Sequence, residues 1–146
     1  MIGSILRSVG SVVAGLVLWI AFFIAGEVFS EVVYPFPKGV EQNHVEVCKH
    51  VARYPTWVLA TGAAIWAGGV LASTWLATRL GTARHPAHGA VVGAILFALA
   101  GMNIAMLPYA LWFPIVILVS YPLCALWGAM LGRGPATQPG AAPDGA

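Results

Sequence analysis

Apolar residues run in four long blocks, at about 9–33, 56–78, 89–107 and 113–131, and each ends at a helix breaker or a charge. Each block is close to the ~20 residues with which a helix crosses hydrocarbon ~30 Å thick. Between Gly89 and Gly132 there is no Asp, Glu, Lys, Arg or His. As one helix that stretch would reach roughly twice the hydrocarbon thickness, so the chain must fold back within it. Leu107-Pro108-Tyr109-Ala110-Leu111-Trp112-Phe113-Pro114 lies at its middle, where two prolines end helices and three aromatics suit a membrane–water interface. The expected fold is all-α: an integral membrane four-helix bundle of two transmembrane hairpins, occupying residues 1–132.

The connections refine this layout. Residues 35–55 form the only sizeable loop, and within it Val40, His44, Val47 and Val51 recur at helical spacing beside Val45 and Cys48, which predicts a short interfacial helix. Arg7 before an apolar stretch and Ala25-Gly26 behind it fit a signal peptide, but the apolar run outlasts a 7–15-residue h-region, so the segment reads as a span. Residues 133–146 have nothing large to bury and many helix breakers, and are expected to be a disordered cytoplasmic tail. Arg7, Arg79, Arg84 and Arg133 fall on one side of the spans and Lys38, Lys49 and Arg53 on the other, which puts both termini in the cytoplasm. Tyr34, Tyr54, Trp57, Tyr109 and Trp112 then mark the outer interface, Trp75 and Trp127 the inner one.

Composition agrees and narrows the function classes. With 146 residues, 60% hydrophobic and 8% charged, the chain holds one compact membrane domain. Its net charge of +2 is scattered rather than gathered, so nucleic acid is not an expected partner; the lipid bilayer, and another membrane protein or a second copy, are. Cys48 and Cys124 fall in a loop and inside a span, which sets them badly for a disulfide. No nucleophile elbow, phosphate-cradling loop or dinucleotide fingerprint is present, so an enzyme is the less favoured class and no cofactor is expected.

Glu27 and Glu31 stand out among chemically capable residues, because i, i+4 spacing puts both carboxylates on one helix face in line with Trp19 and Phe23. If hydrocarbon begins near Val9, they lie about 27 and 33 Å along the helix, at its outer boundary. A solvated helix end explains them, and so does a proton or cation site facing the bundle interior, where two close like charges raise one pKa. Asn103, in the third span, is expected to hydrogen-bond a neighbouring helix and, in the ion-site reading, to line the route. His44 and Cys48 align if their segment is helical, and with His50 they are the residues a metal would use, though no metal-ligand motif contains them. His85 and His88 flank Pro86 near Arg79 and Arg84, a basic surface facing the cytoplasm. Small residues recur every four positions, Ala60-Ala64-Gly68-Ala72 in the second span and Gly89-Gly93 then Ala94-Ala98 in the third, which predicts close helix packing. Pro122 is expected to kink the fourth span or free a carbonyl.

Glu27, Glu31 and Tyr34-Pro35-Phe36-Pro37 closing the first span, Tyr54-Pro55 ending the loop, and Asn103 with Pro108 and Leu111-Trp112-Phe113 at the second hairpin form a recognisable set. In these residues the chain resembles a loosely defined group of small bacterial four-span proteins of unknown function. The resemblance implies placement in the bacterial inner membrane and supplies no activity, cofactor or catalytic residue. The leading expectation is an accessory or interaction subunit that associates through helix faces and an outer rim containing Tyr34, His44, Tyr109 and Trp112. The alternative is a small oligomeric transporter or channel subunit using Glu27 and Glu31. A third is a membrane-interface enzyme or metal protein.

Overall fold

The computed structural model describes residues 2–134. Apart from Arg133 and Gly134, the expected tail lies outside them. The described chain is all-α, with helices α1 Ile2–Val33, α2 His44–Val51, α3 Thr56–Leu80, α4 Ala87–Met106 and α5 Trp112–Gly132 and a 3-10 turn at Thr82–Arg84. Four of them, α1, α3, α4 and α5, are long and apolar enough to cross a membrane.

Local chemistry sets several boundaries. Asn43 caps α2 by accepting from the Glu46 amide at 3.0 Å, and Lys49 pairs with Glu46 at 2.6 Å one turn on. Leu107 is extended, as a residue before proline prefers, and α4 stops there. α5 runs unbroken through Pro122, which cannot donate to the Leu118 carbonyl four residues back. Pro122 instead lines a shallow apolar cleft between α4 and α5, together with Gly93, Phe97 and Ala125.

The first helix begins seven residues before the expected start at 9. Its extra turns are held by tertiary hydrogen bonds that hydropathy does not reveal: Arg7 Nε donates to the Leu80 carbonyl at 2.9 Å, and Thr82 Oγ1 donates to the Ser4 carbonyl at 3.1 Å. The helix is therefore about 48 Å long, and Glu27 and Glu31 belong to its last two turns.

α3 is the central helix, packed along α1 and α5 and also against α4. Val70, Ala77, Val92, Leu96, Ile117 and Tyr121 form the middle of the core. Glycines let the backbones approach. On α5, an added Cβ at Gly132 would lie 2.7 Å from the Trp75 carbonyl, and one at Gly128 would overlap the Leu71 carbonyl. Most large apolar side chains of the long helices point outward, including Val9, Val13, Val17, Ile20 and Ile24 along one stripe of α1.

Charge divides between the ends. Glu27 and Glu31 at the close of α1 meet the start of α3 and the α4–α5 connection, while Arg7 meets the end of α3. Among the described residues all four glutamates, Glu27, Glu31, Glu41 and Glu46, belong to the α2 end, and Arg7, Arg79, Arg84 and Arg133 to the other.

Candidate functional site

At the α2 end, the close of α1, the start of α3, the close of α4 and the α4–α5 connection surround a cavity of about 260 Å³. α2 lies over it and contributes Val47, His50 and Val51. The helical register of α1 explains the wall: Phe23, Glu27 and Glu31 follow at four-residue steps and all line the space. Both glutamates are also accessible on the helix surface, so they sit at the mouth rather than in the depth. The depth is aromatic, built from Phe23, Trp66, Tyr109 and Phe113.

Ring contacts run on from this wall. Trp19 stacks on Phe23 at 5.3 Å, Phe23 on Trp66 at 5.9 Å, and Trp66 meets Phe113 edge-on at 5.9 Å. A second, apolar cleft of about 220 Å³ shares Phe23, Trp66 and Asn103 with the first and continues to Trp19, Leu99 and Tyr121. Asn103 thus stands where the polar mouth gives way to an apolar slot.

Asn103 accepts from Tyr109 Oη at 2.9 Å. Its partner comes from the α4–α5 connection six residues on, not from a neighbouring helix as the sequence predicts, because Leu107-Pro108 turns the chain back over the end of α4. The bond uses the amide oxygen, and the Asn103 NH₂ remains the donor end of the group. Tyr109 stacks on Phe113 at 4.5 Å. Burial holds its phenol above the ordinary tyrosine range, and the Glu27 charge adds to that. Tyr54 is raised for the same first reason, with the charges of both Glu27 and Glu31 contributing. Two phenols therefore stay neutral within the field of two carboxylates.

The remaining sequence-predicted residues scatter. His44 and Cys48 do align on α2, with Nε2 and Sγ 3.6 Å apart, but His50 turns to the other side. There it is enclosed by Tyr34 at 4.9 Å, Phe36 at 5.0 Å and Tyr54 at 5.1 Å. Among the described residues no three His, Cys, Asp or Glu side chains are grouped to hold a metal ion. Of the outer-rim residues, Tyr34 and Tyr109 face these ring clusters, Trp112 is half-buried against Phe113 at 5.9 Å, and His44 is exposed. Gly89 and Gly93 lie in helix interfaces, where a Cβ at 93 would come 2.7 Å from that of Ala125. Gly68 has nothing within 4 Å and faces outward with Ala60 and Ala64. Sequence reasoning found the carboxylates but not Tyr54 and Trp66 as their companions; Trp66 sits on another helix, and no spacing rule links it to α1.

Glu27 and Glu31 share this cavity with Phe23, Trp66, Tyr109 and Phe113, and both kinds of group attract positive charge, carboxylates by Coulomb attraction and rings by their quadrupoles. Ser30, between the two glutamates on α1, lines the same space.

The chain matches no protein-family model, no curated protein and no solved structure.

Proposed function

We propose that this is a multi-pass protein of the bacterial inner membrane, with both termini cytoplasmic, that binds an organic cation at its outer end. The observation that carries the reading is the cavity whose mouth holds Glu27 and Glu31 and whose depth is aromatic. An ammonium group fits both parts, and the contiguous slot toward Leu99 and Tyr121 accommodates an apolar substituent. Membrane placement is supported by the outward apolar stripe of α1, which water would not tolerate at that extent. Trp57 and Trp75 are exposed on one face of α3, and their 18-residue separation spans about 27 Å, close to the ~30 Å between interfaces where tryptophans settle. In this frame α1 with α3 and α4 with α5 are the two transmembrane hairpins. The arginine end lies in the cytoplasm by the positive-inside rule.

Titration calorimetry on the full chain in nanodiscs, with tetraethylammonium and dodecyltrimethylammonium as probes, tests this. Saturable binding is expected, tighter for the alkylated probe and at least about tenfold weaker in Glu27→Gln/Glu31→Gln, given the ~0.5–2 kcal/mol of a cation–π contact and the loss of charge pairing. Identical isotherms for wild type and double variant would overturn it.

A second reading, an accessory subunit, is favoured by a different observation. Ala60, Ala64 and Gly68 form an exposed small-residue strip between Trp57 and Trp75, the surface on which another transmembrane helix can approach closely. Native mass spectrometry of the protein drawn from its own membrane, with Gly68→Leu as the comparison, separates a defined complex from a lone chain.

A further inference from the structure

At the opposite end of the bundle, Ser8 Oγ of α1 lies 3.0 Å from Nε2 of His88 in the first turn of α4. The other ring nitrogen decides the direction of that bond. His88 Nδ1 is 2.9 Å from the His85 carbonyl oxygen, an atom that only accepts, so Nδ1 carries the proton. In the neutral ring Nε2 then keeps its lone pair, so of the two groups only Ser8 is able to donate across that contact. A hydroxyl donating to an imidazole that a third group orients is the arrangement of an activated serine nucleophile.

Three further features are built around the pair. Gly81 has no side chain where a Cβ would overlap the His88 ring, so the imidazole can lie against the end of α3. Ala83 and Arg84 have φ of 53° and 50°, left-handed values that L side chains adopt under strain, and they immediately precede the His85 carbonyl that fixes the tautomer. Thr82 Oγ1 also lies 3.0 Å from Ser8 Oγ; with its own proton on the Ser4 carbonyl it can only accept there, a second acceptor for the Ser8 proton beside His88 Nε2.

The pair closes one end of an apolar groove of about 410 Å³ between α1 and α4, walled by Val9, Val12, Val13 and Val91. Its polar end is level with Arg7, whose Nε is bonded to the Leu80 carbonyl. In the membrane orientation above, that is the boundary where an acyl chain enters hydrocarbon and its ester stays at the headgroup level.

The geometry points to an acyl-transfer site: Ser8 as nucleophile, His88 as general base and acid, and a long-chain ester as substrate. Ser8 Oγ forms a bond to the ester carbonyl carbon while its proton passes to His88 Nε2. The carbon–oxygen bond to the alcohol then breaks, and the departing oxygen takes that proton from His88, leaving the acyl group on Ser8. Water at the interface then bonds to the acyl carbon while its proton passes to His88 Nε2, the bond to Ser8 Oγ breaks, and that oxygen takes the proton back, freeing the carboxylic acid. The site shares no residue with the cation cavity, so either reading can fail without the other; this one rests only on the membrane placement.

The test is covalent labelling of the full chain in nanodiscs by a long-alkyl fluorophosphonate, read by intact mass and peptide mapping. One adduct per chain at Ser8 is expected, absent in Ser8→Ala and formed about a hundredfold or more slowly in His88→Gln, with helicity and elution volume of both variants checked against wild type. A methyl-substituted probe should react more slowly than the long-alkyl one. No Ser8 adduct on wild type under conditions that label a control serine hydrolase would overturn the proposal, as would equal labelling in a folded His88→Gln protein. Equal rates for the two probes would overturn the assignment of the groove to an acyl chain.

Discussion

Tyr54 and Tyr109 report on the carboxylates beside them, because their phenols are held neutral first by burial and then by nearby negative charge. An unfolded tyrosine ionises near 10. As pH rises through that value the unfolded chain sheds protons that the folded chain keeps, so the unfolded state binds fewer protons and stability falls with pH. Full stability is thus present below about pH 10 and is lost above it. Phenolate absorbance measured against Tyr54→Phe should show Tyr54 titrating above the ordinary range. Glu27→Gln/Glu31→Gln should move it only part of the way back, since burial is the larger cause. A Tyr54 midpoint unchanged by the double substitution would separate that phenol from the carboxylates. The carboxylate pair itself was legible in the sequence, because i, i+4 spacing on a long apolar run puts two groups on one face. Its companions were not: Tyr54 and Trp66 reach the cavity from the start of α3 and its third turn, and nothing in one chain's spacing shows which faces of two helices will meet. Ser8 and His88 were hidden for the same reason, being 80 residues apart.

The four long helices followed from hydrophobic blocks, with α1 beginning seven residues before its block and α2 read from helical spacing in the loop, whereas the roles of the small-residue stripes did not follow. Gly68 and Gly93 are equivalent in sequence, each lying four residues from another small residue in an apolar run, yet one faces open space and the other faces Ala125. A stripe of small residues permits close approach without stating what approaches. The two positions therefore predict opposite outcomes. Gly93→Leu forces a branched side chain into a 2.7 Å gap against Ala125, and overpacking of that kind costs about 1–3 kcal/mol. Gly68→Leu meets nothing within 4 Å and removes a helix-weakening glycine, a gain of up to about 1 kcal/mol. Thermal unfolding of the two variants in one detergent should show a lowered midpoint for Gly93→Leu and an unchanged or raised one for Gly68→Leu. A loss at Gly68 in the isolated chain would mean that the α3 face is already occupied, by a second copy.

On the scale of the whole molecule, the asymmetry of charge predicts an orientation, and the orientation proposed above would decide which compartment each end faces. Four arginines and no described carboxylate stand at the end carrying Ser8 and His88, and four glutamates stand with Lys38, Lys49 and Arg53 at the cavity end. The sequence count of Lys and Arg alone left a difference of one; the fold sharpens it by gathering the glutamates on the side that the rule places outside, although carboxylates weigh little in that rule. Exposed Lys38 and Arg84 sit at the two ends, and Lys38→Cys and Arg84→Cys, each in a Cys48→Ser/Cys124→Ala background, make the orientation measurable. In intact bacterial spheroplasts a membrane-impermeant maleimide should label position 38 without permeabilisation and position 84 only after it. The inverse pattern would turn the cavity of Glu27 and Glu31 toward the cytoplasm and expose the Ser8–His88 groove to the outer leaflet. Labelling of both positions in intact spheroplasts would contradict the four-span topology, since these ends must lie on opposite sides if every long helix crosses once.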